Sequence, residues 1–154
     1  HRAGRMVSLT LSDAFCVDRY RAEFVKLLRE GVVDLLFANE AELKSLYETG
    51  DFDAALLELR RDAKFAAVTR SEKGAVVISK EEVTTVPAFP VDAVADTTGA
   101  GDLFAAGFLY GFANDLSHET SARLGALAAA EVISHLGARP ERKLADLAKE
   151  NGLL

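Results

Sequence analysis

A chain of 154 residues, 49% of them apolar, is long enough to bury one core of ordinary domain size. Its 18 basic and 24 acidic residues leave a net charge of -6, which argues against the basic stripe of a nucleic-acid surface but not against a local pocket for an anion. The single cysteine, Cys16, excludes an internal disulfide, and no apolar run reaches the roughly 18 to 20 residues of a membrane span. The apolar stretch near the start is short and broken by Ser8, Thr10 and Ser12, so it does not read as a signal peptide. A cytoplasmic protein without nucleic-acid or membrane partners is expected. Cys16 reads as a small half-buried thiol.

In chain order, residues 5–13 alternate and are rich in β-formers, which predicts a strand. Tyr20, Phe24, Leu27 and Leu28 recur at helical spacing over 18–31, with Gly31 as the stop. Tyr20 and Phe24 are expected in the core. The continuous apolar run 33–39 predicts a strand covered on both faces. Helices are predicted at 40–50 and 51–62, and strands at 65–71, 74–80 and 81–90. The last third, 103–150, is helical, and its end, 141–152, is polar. Strands alternating with helices up to about residue 70 imply an α/β architecture with parallel strands and right-handed crossovers.

The stretch "DTTGAGDLFAAGF", residues 96–108, raises the question of function. It lies between a predicted strand and a predicted helix, where ligands of open α/β sheets bind. Gly99, Ala100 and Gly101 carry little or no side chain, so their N–H groups can approach an oxyanion, and the positive end of the following helix points the same way. Asp102 would repel a bound phosphate. That conflict disappears if Asp102 is a base that takes a proton from an attacking hydroxyl during phosphoryl transfer. The alternative is that Asp102 caps the helix and the glycines only make a turn. The segment after it is apolar around most of its circumference, which predicts a buried helix, and Gly107 and Gly111 would let a neighbouring helix pack closely.

Asn39 and Glu42 also have two readings: an N-cap with its reciprocal partner at N3, or ligand-handling residues. Thr69 and Ser71 end a strand, where hydroxyls satisfy loose backbone groups. Arg70 and Lys73 read as solvated charges or as guides for a polyphosphate. His118 is expected at the surface, and His135 near a helix end suits the dipole.

"DTTGAGDLFAAGF" resembles the C-terminal signature of the ribokinase-like, or PfkB, family of carbohydrate and nucleoside kinases. "NEAE", 39–42, resembles the family's Asn-x-x-Glu motif, and "VTRSEKGAVV", 68–77, resembles its T-x-G-x-x-G segment. "SLTLSDAF" leading to "LLFANEAE" is most similar to the adenosine-kinase-like branch. The resemblance implies a three-layer ribokinase-like fold, a mostly parallel sheet flanked by helices. It covers about half of the family's usual length, so residues 1–154 are expected to be the C-terminal portion of one kinase domain, without the N-terminal acceptor and lid half.

Carried onto this chain, the resemblance makes Asp102 the catalytic base and Gly99, Ala100 and Gly101 the anion hole. Asn39 and Glu42 would organise Mg²⁺ and the phosphates through water. Thr69, Ser71 and Gly74 would flank ATP, although a glycine is usual where Ser71 stands. Asp96 and Thr98 would contribute to a monovalent-cation site, with K⁺ the expected ion. The implied acceptor is a sugar or nucleoside hydroxymethyl group. The other reading is a truncated, non-catalytic nucleotide- or anion-binding module, or a structural remnant. An uncovered apolar face predicts a homo-oligomer.

Overall fold

The computed structural model describes all residues, His1–Leu154. The elements are β1 (Ser8–Thr10), α1 (Ala14–Arg29), β2 (Leu35–Asn39), α2 (Glu40–Leu46), α3 (Phe52–Asp62), β3 (Phe65–Thr69), β4 (Ala75–Ser79), β5 (Val83–Val86), α4 (Ala100–Ala113), α5 (His118–Ile133) and α6 (Leu144–Glu150), with one 3₁₀ turn at Ser71–Lys73. The strand order is β1-β2-β3-β4-β5. The chain forms two compact units, residues 1–70 with 76–83, and residues 71–75 with 84–154.

In the first unit β1, β2 and β3 are parallel, with Leu9 beside Leu36 and Leu36 beside Ala66. This is the parallel, helix-connected sheet that the alternating pattern predicts. Leu35, Leu36, Phe37 and Ala38 of β2 are all buried, as a strand covered on both faces must be. Helix α1 starts at Ala14 rather than at residue 18, because the Asp13 side chain accepts the Phe15 N–H at 2.6 Å and caps it. Gly31, at φ 67°, ends it as expected. The first strand shrinks to three residues, and the helix expected over 40–50 stops at Leu46. One expectation fails. Tyr20 is 46% exposed, at a non-helical point inside α1 with φ -125°, so it faces out of the helical stripe while Phe24 packs against the core.

In the second unit β5 ends at Val86, since Pro87 has no N–H to extend a ladder. Helices α4 and α5 pack at backbone distance. A Cβ on Gly107 would stand 2.6 Å from the Leu124 carbonyl oxygen, and one on Gly125 would stand 2.6 Å from that of Phe104. Gly111 meets Ser121 in the same way. Phe104, Phe108 and Phe112 stack along α4, and His118 stacks on Phe112 at 6.3 Å, so His118 is half-buried rather than a surface residue. Helix α6 is half apolar, burying Leu147 and Ala148 with Leu124 and Leu127. No helix is long and apolar enough to cross a membrane.

Candidate functional site

In the second unit the turn 96–99 aims the start of α4. The Asp96 carboxylate accepts the Thr98 N–H at 2.9 Å and the Thr98 hydroxyl at 2.7 Å on one oxygen, and the Gly137 N–H at 3.0 Å on the other. The Thr98 hydroxyl, then the Thr98 and Gly137 amides, hold the carboxyl at about 2, well below its ordinary value. Gly99 is the N-cap residue of α4, in left-handed backbone at φ 82°. A Cβ there would stand 2.8 Å from the Ala138 Cβ. Glycine is thus required twice at this position, by conformation and by space.

Helix α4 begins at Ala100. The first N–H groups of a helix have no acceptor within it. Ala100 is an exception in this turn, since its N–H donates to the Thr97 carbonyl at 3.2 Å. The Ala100 amide is thus engaged by the turn itself. The amides of Gly101 and Asp102 take no acceptor in the chain.

Asp102 is the third residue of α4 and is exposed. No side chain caps α4, so Asp102 does not have the capping role that its sequence position allowed. Gly101 is exposed, and a Cβ added to it would meet nothing within 4 Å. The fold therefore does not require glycine at 101, although it does at 99.

In the first unit Asn39 and Glu42 form a complete capping box. The Asn39 side chain accepts the Glu42 N–H at 2.8 Å, and Glu42 accepts the Asn39 N–H at 2.9 Å and the Asn39 amide at 2.7 Å. Glu42 is buried, and burial raises its carboxyl above the ordinary value, with the nearby Asp13 charge adding to the rise. Asp13 follows β1, Asn39 ends β2 and Thr69 ends β3, where the sheet register places Asn39 beside Thr69. These residues share the carboxyl end of three parallel strands. Asp13 was not singled out from sequence, since its N-cap role is its only local signal.

No cluster of three or more His, Cys, Asp or Glu side chains gathers to hold a metal. Mg²⁺ needs less, because it keeps several waters and binds one or two carboxylates with substrate phosphates. A buried, proton-favouring Glu42 beside Asp13 fits a hydrated dication, which would lower the cost of its charge.

Arg70 is not a simple solvated charge. Its Nε donates to Glu40 at 2.9 Å and its guanidinium lies 3.6 Å over the Phe52 ring. Glu40 also pairs with Lys44, and these two cations, Lys44 first, hold its carboxyl at about 2. Lys73 is exposed. Ser71 is in left-handed backbone at φ 52°, which explains why glycine suits that position. Gly74 is at φ 85°, and a Cβ there would run into the Val86 carbonyl. Packing alone accounts for Gly74. Gly137 and Ala138, which brace the 96–99 turn, were also missed. They lie about 40 residues away, and no local pattern announces that contact.

The profile of the pfkB family of carbohydrate kinases matches residues 7–143. The chain is 37% identical over 126 residues to the cytidine kinase of Thermococcus kodakarensis, covering 77% of this chain and 45% of that one. Among solved structures, a probable sugar kinase from Rhizobium etli aligns with a TM-score of 0.98 at 52% identity, covering 100% of this chain and 47% of that one. The adenosine kinase of Sinorhizobium meliloti aligns with a TM-score of 0.96 at 52% identity, covering 98% of this chain and 46% of that one. The chain spans about half the length of the curated relatives it matches. The five-stranded α/β fold, the Gly99 turn opening onto α4 and the family profile agree, and the chain belongs to the pfkB family of carbohydrate kinases.

Proposed function

We propose that the chain is the C-terminal, phosphate-handling portion of an ATP-dependent kinase that moves the γ-phosphate to a hydroxymethyl group of a sugar or nucleoside. One observation carries the reading. Gly101 stands in the first turn of α4 with no neighbour that a Cβ would touch. Glycine costs a helix roughly 0.5–1 kcal/mol relative to alanine, and nothing in the fold asks for that cost. A ligand that must approach the backbone would ask for it. The free amides of Gly101 and Asp102, with the helix dipole behind them, suit an oxyanion.

In this reading the amides of Gly99 and Gly101 stabilise charge on the transferring phosphoryl group. Asp102, exposed and not capping, accepts the proton of the attacking hydroxyl. Asn39 and Glu42 hold a hydrated Mg²⁺, which supplies charge neutralisation for the phosphates when bound. Thr69 and Ser71 offer hydroxyls to the nucleotide, and Gly74 supports that segment through its packing. Asp96 and Thr98 order the turn at which a monovalent cation, K⁺, would bind. The relatives named cytidine kinase, adenosine kinase and probable sugar kinase keep both a nucleoside and a sugar as acceptor classes.

The second reading is a nucleotide- or anion-binding module that does not turn over. The chain spans about half the length of these relatives. Without the positioning of an acceptor, on the order of 7–11 kcal/mol of catalytic advantage is lost, so the 154-residue chain by itself should be a poor kinase.

The test uses this chain and the whole product of its reading frame. Gly101→Ala should leave the melting temperature unchanged or raise it, and should weaken binding of ADP with Mg²⁺ measured by calorimetry. Asp102→Asn should keep both the fold and ADP binding. In the whole product it should lower kcat by roughly 10²- to 10⁴-fold, the usual span for a general base. Full ADP affinity in Gly101→Ala would remove the phosphate cradle, and wild-type kcat in Asp102→Asn would remove the base. ADP binding by a whole product that phosphorylates no sugar or nucleoside would favour the binding module.

A further inference from the structure

Glu131 is the one charged side chain buried in the second unit, and it lies on a helix whose other buried residues are Ser, Ala, Leu, Gly and Val. Burying a carboxylate costs several kcal/mol unless it is paired or hydrogen-bonded. Glu131 is both. One oxygen accepts the N–H groups of Glu141 and Arg142, each at 2.9 Å. The other faces His135 Nε2 at 3.4 Å, while His135 Nδ1 faces the Glu141 carboxylate at 3.9 Å. None of these contacts is needed to make α5. They hold the loop that follows it.

That loop reaches the α4 start. Gly137 donates its N–H to Asp96, and Ala138 sits against Gly99 so closely that no side chain fits between them. The strand-side approach is tied to the same place, since the Ala95 N–H donates to the Ile133 carbonyl at 2.8 Å. The loop is thus pinned at Gly137 by Asp96 and at Glu141–Arg142 by Glu131, and Ala138 lies between the two pins.

We propose that Glu131 is a positioning residue: through the 137–142 loop it seats Ala138 against Gly99, and so sets the geometry of the phosphate-binding end of α4. Its effect on ligand binding rests on the kinase reading above. Its effect on the turn does not.

The experiment compares the 154-residue chain with Glu131→Leu, Glu131→Gln and Val132→Ala. Leucine fills the site without an acceptor. Glutamine keeps a carbonyl that can accept both amides. Val132, fully buried on the same helix, controls for lost stability. The readouts are hydrogen exchange at residues 97–102 and 137–142, and the affinity for ADP with Mg²⁺.

Glu131→Leu should speed exchange in both segments and weaken ADP by about tenfold or more, the scale of losing hydrogen bonds to a charged acceptor. Glu131→Gln should restore both. Val132→Ala should lower the melting temperature and leave both segments protected. Exchange and affinity in Glu131→Leu within about twofold of wild type would overturn the proposal, and so would an equal effect in Val132→Ala. If the wild-type chain binds no ADP, the kinase reading of this turn fails, and hydrogen exchange alone decides whether Glu131 holds it.

Discussion

At Ser71 the backbone turns left-handed, φ 52°, where an L-residue pays roughly 1–2 kcal/mol. Ser71→Gly should relieve that strain, and the greater freedom of glycine in the unfolded chain should take back about 0.4–1 kcal/mol. A small net rise in melting temperature is expected, and Ser71→Val should lower it. A fall with glycine would show that the hydroxyl supports the fold. The glycine expected at this position was readable from the motif, but its reason, a positive φ, was not. Arg70 next to it illustrates the opposite case. A lone arginine after a strand reads as solvated, and only the fold brings Glu40 and Phe52 to it.

The elements were legible wherever local chemistry sets them. Asp51 caps α3 at the predicted boundary, and the Asn39–Glu42 box opens α2 where both motifs demanded it. Ends set by neighbours were less legible, as with β1, which is paired over three residues only. The close approach of α4 to a partner was readable from Gly107 and Gly111, but the identity of that partner was not. Gly107→Ala would push a Cβ to 2.6 Å from the Leu124 carbonyl oxygen, a backbone atom that cannot rotate away. Overpacking of this kind costs about 1–3 kcal/mol. At roughly 2–4 °C per kcal/mol for a chain of this size, thermal unfolding should show it clearly. The same substitution at Gly101 should cost nothing, and equal losses at the two sites would contradict the packing argument.

For the whole molecule, the response to acid follows from its carboxylates. Glu40 and Asp96 are held at about 2 against ordinary values of 4.5 and 3.8, and Asp34 is also lowered, by Lys64 and then the Val7 N–H. A lowered group stabilises the fold above its unfolded value, and that contribution is lost as pH falls through the folded value. Glu42 is raised and acts in the opposite sense, with a contribution lost as pH rises through its folded value. Lowered groups outnumber it, so the melting temperature should fall as pH drops from about 4.5 toward 2. Glu40→Gln should be the less stable protein near neutrality and should converge with wild type near the acid end. Parallel curves would show that Glu40 carries no such linkage. The sequence by itself determined the order of strands and helices, the glycine turn before an apolar helix and the family, because periodicity, capping and turn chemistry act over a few residues. The burial expected of that helix does not hold, since only Phe104, Phe108 and Gly111 of α4 are buried and Tyr110 is 52% exposed. Only the tertiary structure decided which glycines the fold requires, that Ala100 spends its amide on Thr97, and that Glu131 holds a loop against Gly99. Those outcomes depend on which distant backbone passes within a few ångströms, and no local pattern encodes that distance.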